Sequence, residues 1–219
     1  MTVLTDLLLA LCNAKWGIAL LRQGISQRQF SQITWGIGFL AAAVAAVLGG
    51  TSHAVGDQSP ALRRKLWKGT TLATGFTSAG MFASTVVAST SQPLKGKLLV
   101  GTLLKLMAYC GWMASRGKFL YVIIDYGSAM AGVAAFHVPY VFRRGAGDSR
   151  YLLSGVFISL LAAFVQIRKI KLHRHFNHND LYHVIQIGAC YFFYRGGRLL
   201  QDRRDGEMDE RGTKTIGVQ

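Results

Sequence analysis

The sequence predicts an all-α integral membrane protein, a seven-transmembrane helical bundle, and three observations predict it. Composition is strongly apolar, the apolar residues fall in runs of spanning length, and charge is confined to the gaps between runs. Of 219 residues, 51% are hydrophobic and 16% charged, whereas a soluble globular domain carries about 25% charged residues. That composition excludes an ordinary α/β enzyme domain.

The runs fall at about 3–21, 33–56, 67–90, 98–115, 119–142, 151–167 and 180–197, each near the roughly 20 residues that cross a hydrocarbon core. The first, TVLTDLLLALC, has no basic segment before it and no small-residue cleavage site, so it reads as a retained helix. The second and third are rich in small residues, as in LAAAVAAVLGG and GTTLATGFTSAG, which let helices approach closely in lipid. The fourth carries Lys105, the fifth carries Asp125, and the sixth is the shortest, so five or six crossings are the alternative to seven. The seventh opens on the polar string FNHNDLYHVIQ. Between the runs lie RQGISQRQ, DQSPALRRK, SQPLKGK, SRGK, RRGAGDSR and RKIKLHRHFNHN, the charge, Gly, Ser and Pro expected of inter-helix turns. Residues 1–200 therefore read as one transmembrane domain and 201–219 as a mobile polar tail.

The net charge of +15 does not point to nucleic acid, because the basic residues come a few at a time between apolar runs and form no stripe. Membrane lipids with anionic headgroups are the partner that this distribution fits. The basic residues of loops and tail divide almost evenly between the two sides of a seven-span chain, so the positive-inside rule sets no orientation. Cys12, Cys110 and Cys190 each lie within an apolar run and lack CxxC spacing, which excludes a disulfide framework and a cysteine-based zinc site. Nothing in the sequence speaks to oligomeric state.

Ionisable residues at membrane depth are costly and mark candidate sites. Three groups stand out: Ser52, His53 and Asp57 at the end of the second run; Asp125 in the fifth; and His178, Asn179, Asp180 and His183 at the start of the seventh. The second run ends, and the seventh begins, on the side of the membrane where the chain starts, so the first and last groups are free to meet. His53 and Asp57 are i and i+4 on one helix face, where a carboxylate can orient an imidazole or take a proton from water. Imidazoles with a carboxylate suit Zn²⁺, with His53, His178 and His183 as candidate ligands. His178 and His183 are i and i+5, about 140° apart on a continuous helix, so a cap at Asn179 or Asp180 is needed to free His178 to fold back.

Plainer readings stand beside these. His173 and His175 belong to a basic loop, and His137, beside Pro139, reads as a packing or kink residue. Asp125 either pairs with Lys105 or lies on a substrate or proton path with Asn179 and Asp180. Ser52 either serves catalysis or bonds a backbone carbonyl.

Seven runs, a Ser/His/Asp cluster closing the second and a histidine motif opening the seventh resemble the CREST superfamily of membrane hydrolases, which includes alkaline ceramidases and the adiponectin and progestin receptors. The resemblance implies a zinc-dependent hydrolase cleaving an amide or ester of a lipid that enters from the bilayer. It implies His53 and His183 as zinc ligands, with Asp57 as the base and Ser52 as a donor to the oxyanion. That family's two seventh-span histidines are separated by three residues, which places Asn179 at a ligand position here, and its serine position is held by Gly49. From a different class, a non-enzymatic lipid or ligand sensor, or a small transporter coupling protons through Asp125 and the histidines, fits the same residues.

Overall fold

The computed structural model describes residues 1–56, 58–116, 118–142, 147–174 and 176–204. Among them, seven α-helices follow one another: α1 (Thr2–Gln27), α2 (Phe30–Val55), α3 (Pro60–Ser89), α4 (Leu94–Arg116), α5 (Phe119–His137), α6 (Gly147–Arg168) and α7 (His178–Gly197). A single 3₁₀ turn, Val138–Tyr140, follows α5 where Pro139 removes a backbone donor. Helices α1 to α6 are each long and apolar enough to cross a membrane. The seventh is as long as a span, at 20 residues, but His178, Asn179, Asp180, His183 and Gln186 lower its hydropathy. Large apolar side chains face outward on many helices, among them Leu11, Leu103, Met107, Phe157 and Ile167, as expected of a bundle compatible with a lipid surround.

Several helices run further than their apolar cores. Pro60 occupies the first turn of α3, where its missing N–H costs nothing, so Arg63, Arg64 and Lys65 lie on helix rather than in the expected loop. Likewise α4 already includes Lys95 and Lys97. Long basic side chains are good helix formers and can reach outward from a helix end, so charge alone does not stop a helix.

Close backbone contacts join the first three helices. A Cβ built on Gly17 would lie 3.1 Å from the Gly36 carbonyl oxygen, and one on Gly36 would lie 3.0 Å from that of Gly17. One helix further on, a Cβ on Gly80 would meet Gly38 Cα at 3.0 Å. Only glycine allows these approaches, the packing that replaces hydrophobic drive between helices in lipid. Beside them Trp35, Phe39, Leu20, Met81, Leu152 and Phe193 form the fully buried centre, and the Trp35 indole donates to the Phe193 carbonyl at 3.1 Å. Helix α4 sits at the periphery against α3, where Tyr109 and Met113 pack with Val122 of α5.

The start of α1 lies beside the start of α7, since Asn177 donates to Thr2 Oγ1 at 3.1 Å. The far end of α1 lies beside the exit of α7, where Gln23 donates to the Arg198 carbonyl at 2.8 Å. The chain that follows does not leave at once. Leu200 is buried, Gln32 donates to its carbonyl at 2.9 Å, Arg203 donates its backbone N–H to the Val87 carbonyl, and Lys95 donates to the Arg203 carbonyl at 2.7 Å. Residues 201–204, expected as the start of a mobile tail, are thus anchored to α2, α3 and α4, because the free N–H groups at the start of α2 give Asp202 a partner. Residues 205–219 lie outside the described residues.

Candidate functional site

At the end of the bundle where α1 and α7 begin, Asp6 and His183 face each other with Oδ1 and Nε2 3.2 Å apart. Both are buried. Gly50 of α2 makes the space for Asp6, for a Cβ there would lie 2.9 Å from Asp6 Cβ. The other nitrogen of His183, Nδ1, lies 3.0 Å from Thr5 Oγ1, so the ring is held from both sides by neighbours on α1. Thr5 also lies 3.4 Å from Asp180 Oδ1.

The start of α7 is built by a reciprocal cap. Asn177 accepts from the N–H groups of Asn179 and Asp180, and Asp180 Oδ2 accepts from the Asn177 N–H at 2.8 Å. The cap is therefore Asn177, and the expected cap at Asn179 or Asp180 is corrected: Asp180 is the third helical residue and His178 the first. His178 and His183 then stand on one continuous helix, where a separation of five residues turns them about 140° apart. Asn179 accepts from Gln166 of α6 at 2.9 Å, and Asp180 is fully buried within its cap.

Asp6 and His183 stand at the polar end of a cavity of about 270 Å³ enclosed by α1, α2, α3, α5, α6 and α7. His53 lines the same cavity and is exposed, as a residue at its mouth. The helix parity that brought the ends of the second and seventh runs together thus places His53 and His183 on one space. Asn179 lines it as well, and His178 is not among its lining residues. Around the mouth, Trp67 lies against both His53, at 6.5 Å between ring centroids, and Phe119, at 5.8 Å. Further in, Gln186 donates to Ser159 at 3.2 Å, and Ala42, Met81, Met130 and Val156 make an apolar wall. On the α5 and α6 side, Phe119, Leu160 and Ile167 line the cavity and are exposed. Gly127 lines it too, and a Cβ built there meets nothing within 4 Å.

The remaining candidates lie elsewhere. Ser52 is buried, and its hydroxyl donates to the Arg63 carbonyl at 3.4 Å, a bond to backbone rather than into the cavity. Asp57 and His175 lie outside the described residues. Asp125 accepts from Lys105 Nζ at 2.5 Å and from the Ser78 hydroxyl, so it sits in an ion pair between α4, α5 and α3, away from the histidines. His137 is buried with Nδ1 3.0 Å from Ser149 Oγ, joining α5 to α6.

Two imidazoles and a carboxylate are suitable donors for Zn²⁺. Among the described residues, however, no group of three or more His, Cys, Asp or Glu side chains is placed to hold a metal ion, and both nitrogens of His183 already face hydrogen-bonding neighbours. The described residues as they lie do not make a three-ligand site. Asp6, the residue that completes the polar end, was not among the sequence candidates. Its signal was the same as theirs, an acid inside an apolar run.

Residues 1–202 match a family model described as a family of unknown function, DUF6962, and the chain belongs to that family. No curated protein and no solved structure matches the chain.

Proposed function

We propose that the chain crosses the membrane seven times and holds one lipid-like amphiphile within the bundle, its polar head beside Asp6, His53 and His183 and its tail along the apolar wall. The observation that carries this reading is the polarity of the cavity. One end holds ionisable groups, and the remainder is mainly Ala, Met, Val, Leu, Ile and aromatic side chains with Thr70, Thr74, Thr77, Ser159 and Gln186 among them, so a ligand with one charged or strongly polar end and a mostly apolar body matches the lining. A volume of about 270 Å³ lies near the lower bound, about 300 Å³, of small-molecule sites, which favours a single chain over a two-chain lipid. The side where exposed Phe119, Leu160 and Ile167 line the cavity offers a route from the bilayer.

The test is native mass spectrometry of the purified chain beside its Gly127→Trp variant. A Cβ built at Gly127 meets nothing within 4 Å and Gly127 lines the cavity, so the variant should fold and retain less co-purified lipid, folding being checked by its Tm. Wild-type protein that carries no lipid, and is not stabilised by any added one, sinks the reading.

Hydrolysis of that lipid's amide or ester is a second reading, favoured by the convergence of His53 and His183 on one cavity, as the resemblance to the CREST hydrolases implies. Asp6 lines the cavity beside His183, and a carboxylate that turns into that space can take a proton from water. Turnover of a lipid amide or ester that falls about 10²-fold or more in Asp6→Asn supports it, and metal analysis of the same preparation tests for zinc. A lipid-loaded wild type inert towards amides and esters leaves the sensor class in its place.

A further inference from the structure

Resting on the lipid-binding reading, we infer that the head of the preferred ligand is a protonated amine, and that this cavity selects long-chain ammonium amphiphiles against fatty carboxylates and phosphates. The first observation is the sign of the wall. Among the described residues lining the cavity there is no lysine or arginine, whereas Asp6 stands at its polar end. Asp180 lies directly behind, fully buried, within reach of the same Thr5 that touches His183. An anionic head would meet these two carboxylates with no guanidinium or ammonium in the wall to offset them, and burying an unpaired charge beside a like one is costly.

The second observation is the unpaired acceptor. Asp6 is 4% exposed and lines the cavity. Its Oδ1 is engaged by His183, while Oδ2 carries no hydrogen bond and lies closed off beside Gly50, 3.7 Å from a Cβ built there, so a ligand's N–H reaches it once the carboxylate turns toward the cavity. A buried carboxylate oxygen without a donor is a debt that a ligand with N–H groups settles. An ammonium brings three such donors and no acceptor. The third observation is the aromatic surround: Trp67 and Phe119 at the mouth, with Tyr182 5.4 Å from the His183 ring. Aromatic faces attract cations and are indifferent to neutral alcohols.

The experiment is equilibrium dialysis of three radiolabelled probes of equal chain length, dodecylamine, dodecanol and dodecanoate, against the full chain in phosphatidylcholine nanodiscs at pH 7, with empty nanodiscs as baseline. An alkyl amine is charged at this pH, its ordinary pKa being about 10.4. Dodecylamine should bind about 10- to 100-fold more tightly than dodecanol, the range of a charge-assisted hydrogen bond, and dodecanoate should bind least. In Asp6→Asn the preference for amine over alcohol should disappear while dodecanol binding persists. Because Asp6 is buried and its variant can misfold, the comparison of heads on the wild-type protein decides by itself. Dodecanol or dodecanoate binding as well as dodecylamine overturns the inference and leaves the lipid-binding reading standing, whereas failure of all three to bind overturns both.

Discussion

Ser31 donates its backbone N–H to Asp202 across 2.8 Å, and the neighbouring N–H of Phe30 reaches the other oxygen of the same carboxylate at 2.6 Å. Helix α2 has no side-chain cap of its own, so a residue beyond α7 supplies it. The bond is also electrostatic, since a carboxylate at a helix N-terminus meets the positive end of the helix dipole. Asp202→Ala should lower stability by about 0.5–2 kcal/mol, read as a lower Tm in detergent, with Asp202→Asn losing less. An unchanged Tm in both variants means that the cap is not formed in solution.

The Lys105–Asp125 pair joins α4 to α5, two helices with few other contacts, and the Asp125 carboxylate is buried while the lysine is partly exposed. Lys105→Met should destabilise by about 1–3 kcal/mol, because it leaves a buried carboxylate with only Ser78. Adding Asp125→Leu should recover part of that loss, since the charge left behind has gone. If the double substitution is worse than the sum of the two singles, the pair is not the interaction that matters there.

Gly36→Val is expected to force α1 and α2 apart, as a Cβ at that position meets the Gly17 carbonyl oxygen at 3.0 Å. The expected cost is about 1–3 kcal/mol. Gly188→Ala is the matching control, because a Cβ there meets nothing within 4 Å. Equal thermal stability of the two variants counts against the close crossing.

Reporter tags at the two termini should lie on opposite sides of the membrane, as seven crossings require. The polar helix α7 is the span in question, since among the described residues α1 to α6 alone meet the length and hydropathy of a crossing. Same-side tags remove α7 from the membrane, and with it the seven-span proposal.

The helices were legible because each has an apolar run, and the pairing of His53 with His183 on one cavity was legible because helix parity alone brings those ends together. Helix ends were not: Arg63 to Lys65 continue α3 where charge suggested a loop, and the cap of α7 is Asn177, a residue whose role depends on bonds to Thr2 and Asp180. Asp6 was legible only as an acid inside an apolar run, the signal that marked Asp125; its partner lies on the last helix, so no spacing tied it to the histidines. Residues 201–204 look like a tail for the same reason. Their order comes from distant groups, the N-terminus of α2 and the carbonyl of Val87.

The anchoring of α7 and Asp202 against α1 and α2 bears on how the chain is made. The hairpin of α1 and α2 emerges from the ribosome early, carrying Asp6 without His183 and a helix start without its cap. The segment that supplies both is synthesised after the six helices that are long and apolar enough to cross, and on the seven-span proposal it is the one least able to enter lipid alone, since its first turns carry His178, Asn179, Asp180 and His183. Helix α7 should therefore enter only against a groove already formed by its neighbours, and a nascent chain stalled before residue 178 should remain bound to the insertion machinery, detectable by crosslinking, until α7 arrives.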